Sequence, residues 1–160
     1  MSGWQRTKWW AVVLCHMYDN ILLPTDGSEG MEVVIDHAIS LARDHDATVH
    51  GLYVVETASF ANLPMESSME RVGETLRREG QRALATLERN GEEVDLETTI
   101  AEGSPARVIT SLADEWGCDL VVMGTHGRSG VDRLLLGSVA ERVVRSSQVP
   151  VLTVRVSGSE

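Results

Sequence analysis

The sequence predicts an α/β fold: an open parallel five-stranded sheet in the order 3-2-1-4-5, with helices on both faces. Two observations carry this expectation. From Met17 onward, short runs rich in β-branched residues alternate with longer stretches whose apolar residues recur at helical spacing. Gly, Pro, Asp and Ser cluster between those runs, where a parallel sheet needs its connections. The 160 residues amount to one domain, long enough to bury a core without disulfide or metal staples.

The first strand is Asn20-Ile21-Leu22-Leu23, expected to stop at Pro24, and the loop Thr25-Asp26-Gly27-Ser28 follows. A helix is expected from about Gly30 to Asp44, with Met31, Val34, Ile35, Ala38 and Leu41 on one face. The second strand is Thr48 to Val55, and residues 56–66 form a polar connection containing Pro64. A second helix from about Ser68 to Asn90 carries the stripe Met69, Val72, Leu76, Ala83, Leu84 and Leu87, and Gly91 stands where a helix-ending glycine belongs. Leu96 to Ala101 form the third strand. Ser104 is expected to cap a third helix with Pro105 at its first position, where a missing N–H costs nothing. Val108, Ile109, Leu112, Ala113 and Trp116 are its buried face. Asp119 to Met123, Ser138 to Ser147 and Val149 to Val154 complete the fourth strand, fourth helix and fifth strand. This is a Rossmann-like order, in which the winding reverses between strands one and four. Ligands of open α/β sheets bind beyond the strand ends at such a switch point. The loops Pro24–Ser28 and Gly124–Gly137 are therefore the places to look.

Charge and composition narrow the partners. Residues 1–16 hold Arg6 and Lys8 and no acid, whereas the other 144 residues hold 12 arginines against 24 acids, a balance of −12, and no lysine. Such a surface repels nucleic acid and anionic membranes, whose binding needs Lys and Arg. An acidic domain without lysine resembles the proteins of salt-loving archaea; a moderately acidic protein from a GC-rich genome is the plainer alternative. Cys15 and Cys118 are far apart with no ligand spacing, which fits a reducing cytoplasm better than a disulfide or zinc framework. The first sixteen residues hold three of the four tryptophans. Their apolar run Trp9–Cys15 is seven residues, against the ~20 that span a bilayer. No small-residue cleavage site follows before Tyr18. Residues 1–16 are thus expected to be a leader outside the domain, a mis-assigned start; residues 17–156 are the domain and 157–160 a tail.

The second loop reads Gly124-Thr125-His126-Gly127-Arg128-Ser129-Gly130, then Val131 to Leu136, then Gly137-Ser138. Its glycines let backbone approach a ligand closely. Ser138 is expected to cap the fourth helix, leaving the amides of Gly137, Ser138 and Val139 aimed outward at the positive end of the helix dipole. That is an anion site, worth roughly 0.3–1 kcal/mol per charge before direct N–H bonds are counted. Phosphate is the natural guest, with Arg128 adding a charge-assisted contact. Duller readings stand beside these. Asp26 suits an Asx turn as well as a ligand contact. Met123 suits a core position, and Ser138 is a cap in either case. His126 has no Ser–His–Asp or metal spacing around it and reads as solvent-facing or loop-bracing. His45 reads as a solvated helix end, and His16, His37 and His50 have no partner at ligand spacing. There is no Walker lysine and no GxGxxG opening the first helix.

The spacing Gly124, two residues, Gly127, nine residues, Gly137-Ser138 is similar to that of the ATP-binding branch of the universal stress protein family. The opening Ile21–Ser28 resembles that family's first strand and loop, and Val149–Val154 its last strand. The resemblance runs from Met17 to about Arg155. It implies that Pro24, Thr25 and Asp26 lie along the adenosine of ATP, with Asp26 accepting from the ribose or adenine. It implies Val54 on the adenine, and Met123 and Gly124 flanking the ribose and phosphates. Gly127, Arg128, Gly137, Ser138 and Val139 would hold the phosphates, with Mg2+ accompanying them. It further implies a cytoplasmic homodimer through the edge strand 149–154, whose apolar Val149, Val151, Leu152 and Val154 invite pairing. The function implied is a nucleotide-responsive stress module rather than a dedicated enzyme. An adenine-nucleotide hydrolase with slow turnover, a self-phosphorylating protein, and an interaction protein that binds no nucleotide are the alternatives.

Overall fold

The computed structural model describes residues 17–60, 66–126 and 136–156. In chain order these form β1 (Asn20–Thr25), α1 (Met31–His45), β2 (Thr48–Glu56), a 3-10 turn (Thr57–Phe60) and α2 (Glu66–Asn90). β3 (Leu96–Gly103), α3 (Pro105–Glu115), β4 (Leu120–Gly124), α4 (Ser138–Ser146) and β5 (Val151–Val154) follow. The sheet order is β3-β2-β1-β4-β5 and every pair is parallel, as the sequence predicts.

Helices cover both faces, so the central strands are apolar at consecutive positions rather than at alternate ones. Ile21 and Leu23 of β1 join Val49, Tyr53 and Val55 of β2 under α1 and α2, whose Val34, Ile35, Ala38, Leu84 and Leu87 fill that first face. Leu22, between them in sequence, points the other way. With Leu52, Val121 and Met123 it packs against Ala106, Ile109 and Ala113 of α3 and Ala140 and Val143 of α4, the second face.

Several local expectations are corrected. β1 does not stop at Pro24 but runs to Thr25, with Pro24 opposite Leu52 of β2. The reason lies in which neighbour each residue faces. Asn20 offers its carbonyl to Asp119 on the β4 side, so Leu22 and Pro24, at even steps from it, face β4 as well. The β1–β4 ladder ends at Leu22↔Val121, so the N–H that proline lacks has no rung to leave empty. Ser104 occupies the N-cap of α3, yet its side chain makes no capping bond. β5 starts at Val151, two residues later than expected, because Pro150 supplies only a carbonyl, to the Val121 N–H. Gly91 follows α2 without a left-handed backbone; a Cβ there would lie 3.2 Å from Ile39 Cδ1 and Leu96 Cδ2, so close packing rather than backbone conformation favours a glycine.

Candidate functional site

At the carboxyl ends of β1 and β4 the chain departs to opposite faces, into α1 on the first and toward α4 on the second. The crevice between these departures is the switch point of the sheet.

On the β1 side the loop is braced by its own side chains. Thr25 is buried, and its Oγ1 accepts the Gly27 N–H at 3.2 Å. Asp26 Oδ1 accepts the Ser28 N–H at 2.9 Å, an Asx turn. Gly27 takes φ 74°, the left-handed region that a glycine enters at no steric cost. The Ser28 carbonyl then accepts the Met31 N–H at 3.1 Å and starts α1. The turn reading of Asp26 is therefore realised, and any ligand contact is made by a carboxylate already held in place.

On the β4 side, the Thr125 N–H donates to Val154 O at 2.9 Å and the Thr125 carbonyl accepts the Gly137 N–H at 2.6 Å. This second bond fastens the start of α4 to the end of β4. It also corrects two expectations. The N-cap of α4 is Gly137, with Ser138 the first helical residue, and no side chain caps the helix. The Gly137 amide is committed to Thr125 rather than aimed at a ligand. Helical geometry leaves the first-turn amides of Ser138, Val139 and Ala140 without intrahelical partners, an arrangement that suits an anion.

The remaining expected residues that the structure describes lie at this same end of the sheet. Pro24 faces the second side with Leu22, and Val54, Val139 and the buried Met123 belong to that side's apolar cluster. Thr25 and Gly124 face the first side, where Gly124 lies against Val34 and Val156. Met123 is only 6% exposed, so it is chiefly a core residue whose edge borders the crevice. Gly127 and Arg128 lie outside the described residues. A separate open groove of about 380 Å³ lies on the first face, with Thr25, Glu32, Glu79 and Arg82 in its lining. Of the expected site residues only Thr25 borders it, so it adjoins the crevice and does not coincide with it.

The histidines take bracing roles. His126 Nδ1 lies 3.0 Å from Thr125 Oγ1, and His45 Nδ1 accepts the Met17 N–H while its ring meets Tyr18 edge-on. Among the described residues, no three His, Cys, Asp or Glu side chains come together as a metal site. Burial, with the neighbouring Asp119 charge second, pushes the Cys118 thiol up to about 11, so it is protonated and unreactive at neutral pH. Among the described residues no helix is long and apolar enough to cross a membrane. Sequence reasoning passed over Thr125, although it stands between two residues of the glycine loop. It also passed over Val156, for which no local signal exists.

Comparison with known proteins agrees with this geometry. The family model described as the universal stress protein family matches residues 17–155. A universal stress protein of Methanocaldococcus jannaschii is 44% identical over 142 residues, covering 88% of this chain and 84% of the relative. Among solved structures, that of the hypothetical protein MJ0577 is 29% identical with a TM-score of 0.79, covering 89% of this chain and 99% of that one. A universal stress protein solved in complex with cAMP is 26% identical with a TM-score of 0.64, covering 88% of this chain and 98% of that one. This chain belongs to the universal stress protein family.

Proposed function

We propose that the chain is an ATP-binding universal stress protein, a module whose nucleotide occupancy alters its pairing or its choice of partner. One observation carries the reading. The bond from Gly137 to Thr125 sets the first turn of α4 beside the end of β4, the strand that neighbours β1 in the sheet. Adenosine then lies along Pro24, Asp26 and Val54, with Met123 at its border. The phosphates meet the amides of Ser138 and Val139, with Gly127 and Arg128 completing the cradle. The residues fit such a guest, since an apolar wall and a helix N-terminus suit a base at one end and an anion at the other. A relative solved with cAMP supports an adenine nucleotide as the class. Mg2+ would travel with the phosphates. The protein works in the cytoplasm, and residues 1–16 and 157–160 lie outside the working domain.

Titration calorimetry with ATP, ADP, cAMP and adenosine tests the reading. Asp26→Ala is expected to weaken adenosine and ATP in parallel, roughly ten- to a hundredfold, the worth of one charge-assisted hydrogen bond. Asp26→Asn keeps an oxygen for the Ser28 turn, so a similar loss in that variant assigns the effect to the charge. Equal affinities for all three proteins would remove Asp26 from the site.

Pairing is proposed through β5, the sheet edge. Leu152 is 37% exposed there, whereas Val154 is 7% exposed and part of the core. A charge at Val154 would therefore attack the fold, and Leu152→Glu is the cleaner probe. It is expected to give monomers by light scattering, and a dimer that survives would place the interface elsewhere. Adaptation to salt is proposed from the −12 balance of residues 17–160. The Debye length falls from ~10 Å at 0.1 M to ~3 Å at 1 M salt, so self-repulsion should fade and the melting midpoint rise. A flat or falling midpoint from dilute buffer to molar KCl would count against it.

A further inference from the structure

Beyond β5 the chain continues through Arg155 to Val156, which is half-buried against the first-face core. Its side chain fills the space above two glycines. A Cβ on Gly30, the N-cap residue of α1, would overlap Val156 Cγ1, and one on Gly124 would lie 3.0 Å from Val156 Cγ2. The two loops of the crevice thus leave a notch that a single valine occupies. The backbone of the same residue is engaged as well, since the Val156 N–H donates to Thr125 Oγ1 at 3.3 Å. Thr125 in turn gives its N–H to Val154 and receives the Gly137 N–H on its carbonyl. Hydrogen bonds therefore run from Val156 through one threonine to the N-cap of α4.

We infer that Val156 is a positioning residue for the nucleotide site. It wedges the start of α1 against the end of β4 and holds the Thr125 hydroxyl. Through Thr125 it fixes where α4 begins and where the Ser138 and Val139 amides point. The inference rests on the proposed nucleotide-binding reading for its consequence, but not for its geometry. Without the wedge, Gly30 and Gly124 border a void, and the backbone N–H that engages the Thr125 hydroxyl loses the packing that holds it in place. The coupling is reciprocal: a nucleotide that tightens the start of α4 must also tighten the strap, so occupancy is felt at the segment that follows β5.

The test uses the full chain with Val156→Ala, the shape-conserving Val156→Thr, and Ile39→Val. Ile39→Val weakens the same core cluster beside Gly91 rather than beside Val156. Amide exchange is followed by NMR without nucleotide, and ATP affinity by calorimetry. Val156→Ala keeps the N–H to Thr125 but loosens the packing that holds it, so it is expected to speed exchange of the Gly137 amide and to weaken ATP, each by up to about tenfold, the bound set by losing that one neutral hydrogen bond altogether. Val156→Thr keeps the shape of the wedge and should return Gly137 exchange toward wild type, its hydroxyl costing some global stability, and Ile39→Val should shift global stability without singling out Gly137. ATP added to wild type should slow exchange at Val156. The inference is overturned if Gly137 exchanges in Val156→Ala at the rate seen in Ile39→Val after correction for global stability. A wild-type chain that takes up no ATP would overturn the nucleotide reading instead, and Gly137 exchange would still decide the role of Val156.

Discussion

Gly137→Val is expected to abolish ATP binding while leaving the fold intact. The residue has φ −59° and ψ 156°, a conformation open to any L-residue, so the substitution brings no backbone strain. Its N–H can still donate to the Thr125 carbonyl. What changes is the space in front of the first turn of α4. A branched side chain at the N-cap stands where a phosphate would approach the Ser138 and Val139 amides. Two hydrogen bonds to a charged group are worth ~1.5–3 kcal/mol each, so the loss is roughly a hundredfold or more. Calorimetry with ATP, alongside a circular-dichroism spectrum, reads both halves of the expectation. Wild-type affinity in a natively folded variant would make the glycine loop structural and favour an interaction protein that binds no nucleotide.

Leu87→Ala is expected to produce the largest loss of stability. Leu87 lies on α2 with no exposed surface, and its Cδ2 occupies the space over Gly51 that a Cβ there would invade. Gly51 sits on β2, so this contact, with that of Gly80 against Tyr53, seats the long second helix on an inner strand of the sheet. Truncation leaves a cavity that the glycine backbone cannot fill, and such substitutions cost about 2–5 kcal/mol. Urea denaturation should show a lower midpoint at an unchanged slope. A loss under about 1 kcal/mol would mean that α2 relaxes onto Gly51 rather than being held off it by the leucine.

The order of the sheet was legible because each strand is a short β-branched run and each connection carries a breaker. The switch point follows from that order alone. Single-residue rules fared worse where the outcome depends on a neighbour. Pro24 was expected to end β1, but which side its missing N–H faces is a property of the whole sheet. Ser104 was placed at the N-cap as expected, yet without its hydroxyl bond; Ser138 proved to be one residue inside its helix. The crevice at the switch point follows from the strand order, and the Asx turn at Asp26 was weighed from sequence. The bond between Gly137 and Thr125 could not be read, because its partners stand twelve positions apart and only the folded chain brings them together. Val156 gave no sign at all. Its partners Gly30 and Gly124 are distant in sequence, and a lone valine past the last strand looks like the start of a tail.

The central claim, that this crevice holds an adenine nucleotide, is tested most directly by native mass spectrometry of freshly purified wild-type protein, followed by calorimetric titration with ATP. The account predicts one adenine nucleotide per chain, either carried through purification or taken up on titration. A chain that emerges at its bare mass and gives no heat with ATP, ADP or cAMP would contradict it.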